Sequence, residues 1–420
     1  MKYKLNYSSK LISSTPNTHD HSIGFHDVKP FNKNNNHITY VHRYSLQNIG
    51  FKKEINSIDI CLWNYIENKI NPVDSTDAWS WEQGSRTQWL SDNELIYNVK
   101  IQDSIKSKIY NIKKNSFYLM ENSFYSFNKY NQFLEINYLR LWQLWKSYGY
   151  KTEKDKILDK KPKDDGVYIW DLDNNRRLYL SIYEAVKICK LDNVDKHFFL
   201  CHPTFNPSGD KFVCILRFFN DSNNLISYLI LCDVKNQSNK VIIQEKVSHF
   251  EWINDEDIIV WSRKINTKIS NLRSSKFFEK FLFENLKKLL NIFPVSFKSK
   301  ILTNSYYQIN TNNAYKSFKV EGILNEDGHP QLSPNKRFII YDTYSNTKNF
   351  QKLLLYDLLT KKNYEIGEFY LAQYLTNSNL KYDLHPRWDN SGYLISIDSS
   401  HENSRQTYVI NIENLIKSIS

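Results

Sequence analysis

The sequence predicts an all-β fold, a single seven-bladed β-propeller over residues 1–420 with a mainly helical insertion in one blade. Tyrosine (29) and phenylalanine (24) are abundant, while glycine and methionine are scarce, a composition that favours strands. Short apolar runs follow turn signals about seven times, at a mean spacing of roughly 60 residues, with little helix between them. A two-sheet sandwich of this size is the alternative that these observations leave open.

The strands can be placed in chain order from turn residues and from period-2 apolar patterns. Polar turn residues precede apolar strands at 38–45, 94–100, 211–219, 257–264, 337–344 and 393–400. A second type of strand carries an Asp or Asn at its end and then a polar turn, at 166–177, 352–362 and 406–415. An apolar strand, an aspartate and a polar turn form a hairpin signal, so these strands are assigned to antiparallel blades.

Residues 267–320 interrupt this pattern and are predicted to be an insertion. A helix is predicted at 276–293, because one face collects Phe277, Phe281, Leu282, Leu286, Leu289 and Leu290. Residues 271–300 contain seven Lys or Arg and two Glu, a local net charge of +5. Two interpretations stay open. The helix caps one edge of the propeller, or it docks through residues 271–293 on a membrane surface or a protein partner.

The net charge and the cysteine content limit the expected class of binding partner and the expected cellular location. The net charge of +11 suits an anionic partner such as an acidic oligo- or polysaccharide. Nucleic acid is not expected as a partner, because no recognition motif accompanies the charge. The five cysteines are odd in number and lack CxxC spacing, which argues against disulfides and structural zinc. With no apolar leader at 1–17 and no 18-residue apolar run, a cytoplasmic location is expected.

A His-Pro step, a turn and an apolar strand recur three times, beginning at His202, His329 and His385. Proline favours an extended backbone at each of these histidines and removes a hydrogen-bond donor. In a propeller, residues that open equivalent inner strands face one axis, so the three imidazoles are predicted to converge. His249, three residues before Trp252, fits the series in another blade.

Further polar residues occupy the matching places in the first two blades. They are His26 and Asp27 in the first blade, and Gln83, Arg86 and Gln88 in the second. The channel mouth is therefore predicted to be a site for an anion, a divalent metal or both. The alternative is that each histidine hydrogen-bonds a neighbouring turn and seals its blade. The tryptophans of the repeat are predicted to serve blade packing: Trp89, Trp252 and Trp388.

Four stretches carry a resemblance to a known family: EDGHPQLSPNKRFIIYDTY (326–344), DLHPRWDNSGYLISIDSSHENSRQTYVI (383–410), VSHFEWINDEDIIVW (247–261) and WSWEQGSRTQWL (79–90). Together they resemble the oligogalacturonate-lyase-like, TolB-type β-propellers of bacteria. The likeness is greatest to uncharacterised members, some of which accompany surface-polysaccharide genes. It runs from about residue 24 to 415, apart from 267–320.

The resemblance implies a lyase that acts on an acidic glycan with a divalent metal, usually manganese. In that family the metal neutralises a uronate carboxylate, a base removes the C5 proton, and the glycosidic oxygen leaves by β-elimination. His329 and His385 match metal-ligand histidines, and Asp383 stands where the family has another histidine ligand. His249 matches the catalytic base. The predicted substrate-binding residues are His202, Arg86, Gln83, Arg405, His26 and Asp27.

Two positions depart from the family pattern. Leu380 stands where the family has a ligand glutamine. Residues 226–229, including Tyr228, lack the family's catalytic arginine, for which Arg217 or Arg263 is the candidate replacement. Two functions therefore stay open. One is a metal-dependent uronate lyase, and the other is a non-catalytic propeller that binds a saccharide or a protein partner in polysaccharide biosynthesis.

Overall fold

The computed structural model describes residues 2–34, 37–44, 56–152, 158–244, 246–265, 302–312, 317–323, 326–376 and 381–419. These residues form seven antiparallel sheets, so the predicted seven-bladed β-propeller is confirmed. Two strands, β1 (Tyr3–Leu5) and β2 (Lys10–Ser14), precede the first blade. Within each blade the strands then follow one another in chain order from the axis outward.

The first four blades each contain four strands. Blade 1 comprises β3 (Asp20–Ser22), β4 (Ile38–Tyr44), β5 (Ile58–Asn64) and β6 (Lys69–Thr76). Blade 2 comprises β7 (Gln88–Ser91), β8 (Glu94–Ile101), β9 (Ser104–Asn111) and β10 (Ser116–Met120). Blade 3 comprises β11 (Ser126–Phe127), β12 (Gln132–Glu135), β13 (Gly166–Asp171) and β14 (Arg177–Ser181). Blade 4 comprises β15 (Phe199–Phe205), β16 (Lys211–Phe219), β17 (Leu225–Asp233) and β18 (Ser238–Ile243).

The last three blades complete the ring. Blade 5 comprises β19 (Val247–Trp252), β20 (Asp257–Ile265), β21 (Leu302–Asn310) and β22 (Ser317–Lys319). Blade 6 contains β23 (Gln331–Leu332), β24 (Phe338–Asp342), β25 (Phe350–Asp357) and β26 (Lys362–Tyr370). Blade 7 contains β27 (Arg387–Trp388), β28 (Leu394–Ser399) and β29 (Gln406–Asn411).

The two N-terminal strands close the ring on two different blades. β2 pairs with β29 as the outer strand of blade 7, and β1 pairs with β26 as a fifth strand of blade 6. Short helices fill the connections: α1 (Tyr138–Leu144), a 3-10 turn (Lys146–Tyr148), α2 (Ile182–Ile188), α3 (Gln373–Thr376) and α4 (Glu413–Ile419). In the described part of the chain, no helix has the length and apolarity needed to span a membrane.

The hydrophobic core lies between neighbouring blades. Ile60 of blade 1 packs with Tyr97 of blade 2, and Leu355 of blade 6 packs with Ile397 of blade 7. Each sheet therefore buries both faces against other sheets, which is why the strands contain continuous apolar runs. All five cysteines are buried and unpaired, as the sequence predicts.

Three tryptophans fasten one blade to the preceding one. The indole N–H of Trp89 donates to the Pro30 carbonyl at 2.7 Å, and that of Trp252 donates to the Thr204 carbonyl at 3.2 Å. The indole N–H of Trp388 donates to the Gln331 carbonyl at 3.1 Å. Each ring also packs in or against a core cluster. The prediction that these tryptophans serve blade packing agrees with their contacts.

The predicted insertion ends earlier than the sequence indicated. Residues 302–310 and 317–319 are β21 and β22, the third and fourth strands of blade 5, so the boundary at 320 is corrected. The register of blade 5 pairs Ile265 with Leu302, which brings the two ends of the remaining segment together. The predicted helix at 276–293 and the docking segment 271–293 lie outside the described residues.

Candidate active site at the propeller axis

Five histidines from five blades meet at the axis, each in or near the inner strand of its blade. We call His26, His202, His249, His329 and His385 the histidine cluster. The ring centroids of His249 and His329 lie 4.1 Å apart, and those of His329 and His385 lie 4.3 Å apart. His26 lies 5.3 Å from His329. The structure thus brings together the histidines that the sequence repeat singled out.

Phe25 occupies the centre of this cluster. Its ring centroid lies 5.1 Å from His385, 5.3 Å from His202 and 5.8 Å from His329. Sequence reasoning missed Phe25, because a single buried phenylalanine in an irregular segment carries no periodic signal. Its position means that the histidines surround an apolar ring at the axis.

Blade 7 holds the Phe25 segment in place. The carboxylate of Asp398 accepts hydrogen bonds from the backbone N–H of Ile23 and of Gly24. Arg387 pairs with the same carboxylate at 3.2 Å and donates from Nε to the Phe25 carbonyl at 3.1 Å. Both charged side chains are fully buried, so an ion pair without solvent contact holds the segment at the axis.

Asp342 at the end of β24 organises His329 and His385. Its carboxylate accepts from the backbone N–H of His329 (2.8 Å), from Nδ1 of His329 (2.9 Å) and from the backbone N–H of His385 (3.0 Å). Burial alone favours the neutral ring, but Asp342 outweighs it and raises the pKa of His329 to about 9. His329 is therefore an imidazolium at neutral pH, with its Nε2–H left to donate.

A spacing in the sequence points to this carboxylate. Asp342 follows His329 by 13 residues. Asp398 follows His385 at the same interval, and both aspartates hold backbone N–H groups at the axis. The repeat is therefore longer than the His-Pro step and includes the aspartate at the end of the second strand.

His249 contrasts with its neighbour His329. Burial and the positive charge of His329 lower the pKa of His249, so its ring is neutral at pH 7. Its Nδ1 lies 3.1 Å from a carboxylate oxygen of Asp327. Because a carboxylate oxygen accepts this hydrogen bond, Nδ1 carries the ring proton and Nε2 keeps a lone pair. The cluster therefore places a basic nitrogen and a cation on adjacent rings.

The other three cluster histidines are neutral because burial lowers their pKa values far below 6.5. His202 contacts the Tyr125 hydroxyl at 2.7 Å through Nδ1 and Arg217 at 3.5 Å through Nε2. Neither ring nitrogen of His385 has a hydrogen-bond partner among the described residues. His202 and His385 both have positive φ values, 53° and 45°, a conformation that costs non-glycine residues energy and is enriched at functional sites.

Arg86 and Asp27, both predicted to contact substrate, bind each other. Two guanidinium nitrogens reach the two carboxylate oxygens at 2.7 and 3.1 Å, and the Arg86 side chain is fully buried. The guanidinium also stacks on Tyr125 at 3.9 Å. A contact between Arg86 and a substrate carboxylate would require this ion pair to break. Gln83 lies alongside and donates to the Tyr125 hydroxyl at 2.9 Å.

The other two predicted arginines are also buried among aromatic rings. Arg405 lies 4.0 Å from the Tyr382 ring and 4.6 Å from the Trp81 ring. Its Nε and Nη2 have no hydrogen-bond partner among the described residues. Arg217 lies 4.7 Å from the Trp145 ring and donates to the Val247 carbonyl at 3.2 Å. Arg217 is thus placed against His202, at one side of the histidine cluster.

Two carboxyl groups near the cluster hold their protons unusually tightly. Burial and the nearby charge of Asp383 raise the pKa of Glu82 to about 7. Burial also raises the pKa of Asp383 to about 6, with Asp342 adding to the shift and His329 opposing it. Asp383 was predicted from the sequence. Glu82 was not, because it belongs to no repeat.

Comparison with known proteins identifies a shared fold. No family model and no curated protein matches the sequence. An oligogalacturonate lyase from Vibrio parahaemolyticus is similar over 97% of this chain and 97% of its own, with a TM-score of 0.55 and 9% identity. An oligogalacturonate lyase in complex with manganese is similar over 98% and 96%, with a TM-score of 0.41 and 9% identity. TolB from Acinetobacter baumannii covers 76% of this chain and 67% of its own, with a TM-score of 0.36 and 10% identity.

The chain shares the propeller fold of the Vibrio lyase. At 9% identity the similarity establishes the fold and leaves the reaction open. The fold part of the resemblance seen in the sequence is therefore supported.

The predicted manganese site is not assembled as the residues are placed. Among the described residues, no three His, Cys, Asp or Glu side chains are positioned to hold one ion. Of the predicted ligands, His329 is protonated and gives Nδ1 to Asp342, while Asp383 accepts from Gln351 at 2.9 Å. His385 has two unpaired ring nitrogens. As they are placed, the three predicted ligands do not form the set of at least three donors around one position that a metal centre needs.

Proposed function

We propose that this propeller acts on an acidic saccharide at the histidine cluster and cleaves it by β-elimination beside a uronate carboxylate. One observation carries the proposal. A neutral His249 and a cationic His329 lie with ring centroids 4.1 Å apart. Elimination next to a carboxylate needs such a pair, a base for the proton and a positive charge for the carboxylate.

The roles follow from the protonation states. Nε2 of His249 takes the proton from C5 of the uronate, and the electron pair of that C–H bond forms the C4–C5 double bond. The C4–O bond breaks, and its electron pair leaves with the glycosidic oxygen. The Nε2–H of His329 donates to the uronate carboxylate and stabilises the charge that builds up on it. Glu82, protonated over part of the neutral range, is the candidate donor of a proton to the departing oxygen.

Manganese binding by His329, Asp383 and His385 stays a prediction. The free nitrogens of His385 favour it, and the hydrogen bond from His329 to Asp342 resembles the carboxylate contacts that orient metal-bound histidines. It requires His329 to release a proton and the three side chains to rearrange. Calorimetric titration of the chain with Mn²⁺ tests it, with His385→Ala as the control that should lose the ion.

Binding without cleavage is the second candidate function. Phe25 fills the axis among the cluster rings, and residues 226–229 contain no arginine, which favours a protein that holds an acidic saccharide or a protein partner without reacting. The two candidates share the histidine cluster and differ in whether His249 acts as a base.

Oligogalacturonate and oligoglucuronate serve as probes, with binding followed by calorimetry and cleavage by the ultraviolet absorbance of the unsaturated uronate. We expect His249→Gln to lower the rate of cleavage by roughly 10²–10⁴-fold while binding persists. His19→Gln, at an exposed histidine away from the axis, is the matched control and should behave as wild type. Binding without product in the wild type would favour the second candidate, and no binding of either probe would contradict the elimination and the binding of an acidic saccharide.

A further inference from the structure

A cavity of about 500 Å³ opens at the end of the axis opposite to the start of the inner strands. It is lined by residues at the ends of these strands and in the turns that follow them, such as Phe205, Asn206, Ser333 and Asp389. Phe25, His26, His202 and His249 also line it, whereas His329 and His385 do not. Three of the five cluster histidines, with Phe25, therefore form the inner wall of this cavity.

The lining suits a small molecule with a ring. Besides the histidines, six aromatic residues line the cavity: Phe25, Phe127, Phe205, Phe250, Trp252 and Trp388. Side chains with hydrogen-bonding groups stand among them, including Thr204, Ser248 and Asn390. A volume of about 500 Å³ lies within the usual range of small-molecule pockets, which combine aromatic walls with a few polar groups.

The charge of the lining favours an anion. Lys29, Lys129 and Lys336 line the cavity from three blades, and none of them forms an ion pair among the described residues. The negative charges of two acidic residues in the lining, Asp27 and Asp389, are largely compensated by their partners. Asp27 is paired with Arg86 at 2.7 Å, and Asp389 accepts from the backbone N–H of Gly392 at 2.9 Å and from neighbouring groups.

Glu251 is the third acidic residue of the lining, and burial raises its pKa to about 8. At neutral pH its carboxyl group is mostly protonated and uncharged, so it repels a bound anion only weakly. The three lysines therefore leave the cavity with a net positive charge, in keeping with the net charge of +11 of the whole chain.

We propose that this cavity, which adjoins the histidine cluster through Phe25, His26, His202 and His249, is a binding site for a small ring-bearing anion with a carboxylate or phosphate group. The aromatic residues contact the ring of the ligand, and the lysines at the rim contact its charged group. A uronic acid and a sugar phosphate share this chemistry, and the experiment distinguishes them. The cavity shares His249 with the proposed elimination, whereas neither His329 nor its carboxylate partner Asp342 lines it, so a variant of His329 separates the two functions.

The test uses calorimetry of the full chain with galacturonate, glucose 6-phosphate and the neutral sugars galactose and glucose. We expect at least one of the two anions to bind and the neutral sugars to bind at least tenfold more weakly. The double variant Lys29→Ala/Lys336→Ala should weaken binding of that anion by roughly tenfold or more, since each lysine contributes a charge contact. Lys69→Ala/Lys235→Ala removes the same charge from exposed positions outside the cavity and should leave binding unchanged.

A third variant, Thr204→Trp, fills the cavity without changing its charge and should abolish the same binding. Circular dichroism and the melting temperature verify that each variant is folded. His329→Ala distinguishes binding in the cavity from cleavage, because it should remove cleavage at the histidine cluster and leave the cavity binding intact. Equal binding of neutral and anionic sugars, or wild-type affinity in both the double lysine variant and Thr204→Trp, would overturn the proposal.

Discussion

The carboxylate of Asp342 binds His329 twice, through the backbone N–H at 2.8 Å and through Nδ1 at 2.9 Å. One side chain thus sets both the backbone position and the charge of the ring. This pairing determines the pH range in which the histidine cluster keeps its one imidazolium, and the first prediction follows from it.

The stability of the protein should fall as the pH rises from about 6.5 to about 9. The folded-state pKa of His329, about 9, lies above its ordinary value near 6.5, so its contribution is complete below pH 6.5 and is lost as the pH passes 9. The full loss is roughly 3 kcal/mol, at about 1.4 kcal/mol per pKa unit. Urea unfolding at pH 6, 7.5 and 9 measures it.

Asp342→Asn isolates this effect, because Glu82 and Glu251 also weaken the protein as the pH rises towards 8. The variant should be less stable at pH 6 by roughly 2–4 kcal/mol and should show a smaller decrease between pH 7 and 9. An unchanged pH dependence in Asp342→Asn would show that His329 is not the titrating group.

Phe25→Ala should destabilise the protein by roughly 3–5 kcal/mol, since it leaves a cavity surrounded by five imidazole rings that cannot easily close in. Phe25→Leu retains most of the volume and should cost clearly less. The midpoints of urea unfolding compare the two. If Phe25→Ala were as stable as the wild type, the ring would not be a packing element of the axis.

Arg86→Met should destabilise the protein by roughly 3–5 kcal/mol, because it leaves Asp27 without the partner that binds both of its oxygens. Arg86→Lys keeps the charge but not the two-point geometry and should give an intermediate loss. The same variants should be titrated with oligogalacturonate. A loss of affinity with unchanged stability would assign Arg86 to the substrate and not to Asp27.

Replacing residues 266–301 by an Asn-Gly turn should keep the melting temperature within a few degrees. The register pairs Ile265 with Leu302, so a two-residue hairpin turn can join β20 and β21. Deleting 302–319 as the control should unfold the protein, because it removes two strands of blade 5. A large fall in stability on deleting 266–301 alone would place that segment in the core.

Features that recur along the sequence could be predicted, whereas contacts between residues that belong to no repeat could not. The His-Pro step marks equivalent positions, and equivalent positions on a ring face one axis, so the convergence of His202, His329 and His385 could be predicted. Phe25 belongs to no repeat, and the pairing of Arg86 with Asp27 joins residues 59 apart in the chain. Neither pattern nor composition could predict these contacts, because the first depends on how five blades meet at the axis and the second on how blades 1 and 2 meet.

The insertion boundary was misjudged for a related reason. β21 carries five polar residues among its nine, so its period-2 apolar alternation is weak. Its place in blade 5 comes from pairing with β20 along nine residues, from Asp257 with Asn310 to Ile265 with Leu302. Tertiary pairing determined this strand more than its local sequence did.

The double closure of the ring imposes an order on synthesis. Tyr3 pairs with Phe369 and Lys10 pairs with Asn411, so β1 and β2 leave the ribosome long before their partners exist. At about 5–20 residues per second, these two strands wait for tens of seconds with unpaired edges. Blades 1 to 5 can form as they emerge, but blades 6 and 7 reach their full strand number only after β26 and β29 have emerged. A ribosome that stalls within blade 7 would therefore leave a nascent ring with two open ends, and chaperone protection of the N-terminal strands would matter most at that late stage.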